Sequence, residues 1–199
     1  MLDAISSYRA NIARVQSLGG LNAALGTMVT DAIDLSDILR AGHVLAVSAL
    51  DHFVHEAVRI GMLEVFDGKR AMTPAYARFR VPLDALSANA AITRANFEDE
   101  IRSQHSFQSF QHPDRLADAF RLVTEIKLWD ALGDKLGRPA KDLKDALRLV
   151  VDRRNKIAHE ADVDPTYPNA RWPITIADLN STIDFTNGIV EGIYDLVHI

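Results

Sequence analysis

One segment, residues 35–66, restricts what this chain can become more than any other. Wound at 3.6 residues per turn, it is apolar on most sides between Val44 and Leu63. A helix of that kind is stable only when other elements cover it nearly all round, so it must be the central element of a bundle. Asp34 or Ser36 supplies its N-cap, and Asp67-Gly68-Lys69 ends it.

The rest of the chain reads as the covering helices. Residues 2–18 form a first helix closed by Gly19-Gly20. Residues 70–82 are irregular, with Pro74 and Pro82 as breakers. A helix at 93–103 leads into a polar loop at 103–114. Pro113 then opens a helix running to about Lys135, and Gly137 stops it. Another helix spans about 139–159. Residues 160–173 hold Asp162, Asp164, Pro165, Pro168 and Pro173 and read as a loop. Thr175 and Asp178 make a capping box for a last amphipathic helix at about 176–197. There is no repeat and no clear strand. The expectation is an all-α, up-and-down helical bundle with a long central helix, in one domain over residues 1–199.

Composition removes several function classes. The chain has no Cys, which excludes disulfides, thiolate metal sites and a Cys nucleophile. Its start lacks the basic and apolar regions of a signal peptide. The apolar run at Val44 is broken by Asp51 and His52, short of the roughly 20 residues a membrane span needs. A soluble, cytoplasmic protein with no membrane association is expected. A net charge of −5 disfavours non-specific coating of nucleic acid but permits a local basic patch. Arg138, Lys141, Lys144, Arg148, Arg153, Arg154 and Lys156 form one, interrupted by Asp142, Asp145 and Asp152. Lys141, Lys144 and Arg148 read equally well as a solvated face of alternating charge.

The chemistry concentrates at the end of the 139–159 helix, in Arg153-Arg154-Asn155-Lys156-Ile157-Ala158-His159. Leu143, Ala146, Leu147, Val150 and Ile157 make an apolar stripe, and Arg154 falls near its centre. A guanidinium keeps its charge, so one aimed at a core needs a partner, a cavity or a second subunit. His159, suited to proton transfer, follows five residues later, about 140° around an ideal helix. Either the helix distorts or ends before His159, or the pair meets across two chains. The purely structural alternative ties Arg154 and His159 to a carboxylate such as Asp162 or Asp51.

Arg154-Asn155-Lys156-Ile157-Ala158-His159 resembles the Arg-x(4–6)-His signature of the HEPN superfamily. Residues 38–56, Ser106-Phe107-Gln108, Lys127-Leu128-Trp129 and residues 153–162 resemble the RiboL-PSP-HEPN branch, in the same order along residues 35–195. The resemblance implies an all-α domain that dimerises around the motif helices. It also implies a metal-independent, cofactor-free endoribonuclease acting in defence, toxin–antitoxin or RNA-processing settings. Its partners would be RNA, a second copy and an antitoxin or regulatory protein. Arg154 and His159 would be the catalytic pair and Asn155 the supporting polar residue. Some toxin members carry a Tyr two residues after the His; here that position is Ala161. The alternatives are a catalytically silent HEPN module that binds RNA, nucleotide or protein, and a regulatory bundle whose interface is its only function.

Secondary candidates surround this motif. Arg153 and Lys156 flank it as substrate-binding or supporting residues. On the central helix Ser48, Asp51, His55 and Arg59 share a face, and Asp51 or His55 could line the motif cleft or belong to an internally paired strip. His52 and His55 lack a defined third metal ligand, so no metal site is expected. In the 103–114 loop Phe107 and Phe110, near His105 and His112, are expected to tuck into the core. Trp129 and Trp172 are expected as core or interface residues.

Overall fold

A computed structural model describes residues 1–30, 32–86, 91–167 and 170–198. Among them are seven α-helices: α1 (Leu2–Gly26), α2 (Ser36–Phe66), α3 (Arg94–His105), α4 (Pro113–Phe120), α5 (Leu128–Leu136), α6 (Ala140–His159) and α7 (Ile176–Val197). The only β pairing among these residues is two isolated bridges, Leu86 with Ile92 and Val163 with Arg171. The protein is all-α. No helix among the described residues is long and apolar enough to cross a membrane.

α2 is the central element. It packs against α1, α3, α4, α6 and α7, and Ala46, Val47, Leu50, Phe53, Val54, Ala57, Val58 and Met62 on it are fully or almost fully buried. One contiguous apolar cluster draws on all seven helices. Burying the Val, Leu, Phe and Met side chains among them contributes about 1.5–3 kcal/mol each, which is why α2 needs no strong cap. It has no side-chain cap at Leu35, although the Asp34 carboxylate accepts from Ser36 N at 2.8 Å.

Two further sequence expectations change. α1 does not close at Gly19-Gly20 but runs on to Gly26. Gly19 is buried where α1 crosses α7, and a Cβ there would lie 3.2 Å from the Ile176 side chain. The glycine marks a close helix crossing, not a stop. The helix expected from Pro113 to Lys135 is two helices, broken at residues 121–127. The break is held by partners remote in sequence. The Thr73 hydroxyl donates to Arg121 O at 2.8 Å, and Arg70 donates to Val123 O at 3.3 Å. Val123 is buried against Gly61, where a Cβ would come within 2.7 Å of it.

Other local signals act as read. Gly137 takes the left-handed conformation (φ 63°) that ends α5. Thr175 and Asp178 form the capping box of α7, with Thr175 N donating to Asp178 Oδ2 at 2.7 Å. Pro168, read as a breaker of the 160–173 loop, lies outside the described residues.

Candidate functional site

α2 and α6 run antiparallel, and polar groups fix their register. His43 is buried on α2, with Nε2 3.0 Å from the Val150 carbonyl of α6. A carbonyl only accepts, so Nε2 carries the proton and Nδ1 accepts from the Thr182 hydroxyl of α7 at 3.1 Å. Burial is the main cause holding the His43 pKa below its ordinary value; the bond to Val150 opposes it. One turn earlier on α2, Arg40 is 6% exposed and donates through Nε to Asp162 Oδ2 at 2.7 Å. Arg153 of α6 donates to the same oxygen at 2.9 Å. Arg40 and Arg153 also reach the Trp172 carbonyl, at 2.8 and 3.3 Å.

These contacts sort the tandem arginines. Arg153, expected beside a substrate, is a structural group here, bound to Asp162 and to the Trp172 and Pro173 carbonyls. Arg154 is not. Its Nη1 donates to Asn155 Oδ1 at 3.0 Å, while its Nε is buried without a hydrogen-bond partner. The structural alternative of the sequence reading, a tie from Arg154 to Asp162 or Asp51, is therefore not what forms. Asp162 takes Arg40 and Arg153. Asp51 accepts from Phe110 N at 2.7 Å and from Gln111 Nε2 at 3.1 Å.

α6 stays helical through His159, its last residue, whose side chain is exposed. Leu143, Leu147 and Val151 are its buried positions, so the core-facing stripe is slightly rotated from the expected one, with Val150 half-buried. Arg154 stays on that face and His159 points about 140° away. Lys156 packs its ammonium 5.8 Å from the Trp172 ring centroid, a cation–π contact.

Asp51 and His55 do not join this end of the molecule within one chain. With His43 opposite Val150, eight residues along α2 and four the other way along α6 separate Asp51 from Arg154 by roughly 18 Å. His55 instead stacks near Phe110, with ring centroids 4.5 Å apart, and faces His105. Among the described residues no group of three or more His, Cys, Asp or Glu is arranged to hold a metal. Phe110 is buried as expected, but Phe107 is 95% exposed. Much of the basic run is paired: Lys141 and Arg148 with Asp145 of α6, Lys144 and Arg148 with Asp114 of α4.

The family model for RiboL-PSP-HEPN matches residues 9–198, almost the whole chain. The chain belongs to the RiboL-PSP-HEPN family. No curated protein and no solved structure matches it. Arg154, Asn155 and His159, which resemble the HEPN motif, all lie on the last two turns of α6, which His43 of α2 and Asp162 hold in place. The sequence reading missed Arg40, His43 and Thr182. The signal for two of them was present: Arg40 and His43 share one face of the HEPN central helix with Val47, Leu50 and Val54, at three- and four-residue spacing.

Proposed function

We propose that this protein is a metal-independent endoribonuclease that works as a homodimer, with a cleft built from Arg154, Asn155 and His159 of both copies. The reaction needs no external nucleophile, because RNA carries its own 2′-hydroxyl. That oxygen attacks the adjacent phosphorus, the P–O5′ bond breaks, and the products end in a 2′,3′-cyclic phosphate and a 5′-hydroxyl. At each bound phosphate one His159 takes the 2′-hydroxyl proton as imidazole and, as imidazolium, returns a proton to the departing O5′. Arg154 meets the charge that builds on the phosphoryl oxygens.

The observation that carries this reading is the Arg154 Nε, buried and without an acceptor, next to Arg153, whose Nη2 donates to Asp162 and to two carbonyls. An unpaired buried guanidinium donor is costly, and functional sites are where such cost is retained. A planar pair of N–H groups awaiting a tetrahedral oxyanion fits that cost. Membership of the HEPN family supports RNA as the polyanion.

Purified protein incubated with mixed single-stranded RNA in EDTA tests the proposal. Wild type is expected to cleave, with cyclic-phosphate ends, and His159→Ala and Arg154→Ala each to lose at least about 100-fold. Cleavage that survives either change rejects the site. Wild-type protein that binds RNA or nucleotide without cleaving it is a silent HEPN binding module instead.

A further inference from the structure

We propose that Asp162 is a positioning residue for His159: it clamps the end of α6 to α2 by binding Arg40 and Arg153 together, while Arg154 stays outside the clamp. The inference rests on the ribonuclease reading for its consequence in catalysis, though not for the clamp itself.

The clamp is unusual in three respects. The Asp162 side chain is 0% exposed, and a carboxylate is buried to that extent only when cations compensate it. Two do so on one oxygen, Arg40 from α2 at 2.7 Å and Arg153 from α6 at 2.9 Å, while Oδ1 stays buried without a partner. Ala161 and Asp162 are consecutive non-glycine residues in the left-handed region, with φ of 52° and 59°. Helices commonly leave through one left-handed residue, usually glycine; two L-residues there are strained and persist only where surroundings over-determine them.

The strain is placed where it serves His159. The last carbonyls of a helix have no partner within it, and a helix end left so frays. Instead, Glu160 N and Asp162 N both donate to the Lys156 carbonyl at 3.0 Å, closing the turn that carries His159. Trp172 N donates to Asp162 O at 2.9 Å and binds the returning chain to the same point. The exposed His159 thus takes its reference from buried Arg40 on the most enclosed helix of the fold. Arg153 and Arg154 point about 100° apart on α6, and Asp162 stands on the Arg153 side.

Asp162→Asn removes the charge at constant shape, and Arg40→Lys keeps the charge while losing the Nε bond. The test reads both full-length variants for the His159 imidazole Cε1–H signal by NMR, for amide exchange at residues 157–162, and for cleavage kinetics. Both are expected to broaden or split the His159 signal and to speed exchange at the α6 end at least about tenfold, with exchange in the α2 core unchanged. Cleavage is expected to show kcat falling about 10–100-fold and KM changing less than about threefold. If Asp162→Asn does not fold, Arg40→Lys carries the decision. A folded variant with the His159 signal and the 157–162 exchange of wild type overturns the proposal. Wild-type protein without ribonuclease activity rejects the functional reading and leaves the NMR and exchange results to decide the clamp.

Discussion

At the scale of single residues, the molecule separates buried polar groups that are satisfied from those that are not. His43 has a partner for each ring nitrogen, whereas His105 is buried with Nδ1 unpaired among Phe79, Phe110 and His55. Burial, with a smaller push from His55, lowers the His105 pKa to about 4. In the unfolded chain an imidazole titrates near 6.5. As pH falls from about 6.5 to 4, the unfolded state binds a proton that folded His105 refuses. Unfolding free energy therefore falls across that window, by no more than about 3 kcal/mol, and levels off below it. His105→Phe keeps a ring in the aromatic cluster and removes the titration. Its melting temperature is expected to match or exceed wild type at pH 7 and to depend less on pH between 4 and 6.5. The remaining slope belongs partly to His43, whose pKa is lowered in the same direction. A variant with the wild-type slope would show that His105 is not the group responsible. Beside it, Asn155→Ala removes the acceptor of Arg154 Nη1. Cleavage is expected to fall about 3–10-fold, much less than for loss of Arg154, because an oriented guanidinium becomes a mobile one.

At the scale of elements, the sequence was legible wherever the deciding force was local. α2, α6 and α7 follow from apolar periodicity, and the Thr175 and Gly137 boundaries follow from caps that act within a few residues. It was not legible where a remote partner decides. No local rule foretells that residues 121–127 leave the helix, because Thr73 and Arg70 reach them from about 50 residues away in sequence. Gly19-Gly20 reads as a stop because glycine stops helices in isolation, while here Gly19 admits α7. The site divides in the same way. Arg154, Asn155 and His159 are recognisable as a motif, but nothing adjacent to Arg153 says that Asp162 will claim it and leave Arg154. The α4–α5 break gives a clean test at this scale. The Thr73 hydroxyl donates to Arg121 O and accepts from Tyr76 N at 3.0 Å, and Thr73 is buried. Thr73→Val keeps the shape and leaves those groups unsatisfied. Denaturant unfolding is expected to show a loss of about 1–3 kcal/mol with kcat little changed. A neutral result would mean that water can replace the hydroxyl at the break.

At the scale of the whole molecule, the geometry of α6 becomes a statement about chain number. Because the helix runs unbroken through His159, Arg154 faces inward and His159 outward on the same segment. In the proposed dimer, two copies related by a twofold axis set the Arg154 of one against the His159 of the other. Complementation separates these cases. Arg154→Ala and His159→Ala chains, each inactive alone, are co-expressed with different tags so that subunits mix at assembly. In the mixed dimer one composite site keeps Arg154 from one chain and His159 from the other, and the second site has lost both. With random mixing half the dimers are of this type, each with one working site of two, so about a quarter of wild-type activity is expected. Purified through both tags in succession, the mixed dimer is expected to reach about half. If both residues of a pair came from one chain, no intact pair would exist in any dimer and the mixture would stay as inactive as its parents. Pairing Arg154→Ala with the double variant Arg154→Ala/His159→Ala provides the control, since neither site can then be rebuilt. Sedimentation velocity on the same samples must show a dimer. A monomer that cleaves RNA would exclude the two-chain cleft even with Arg154 and His159 both essential.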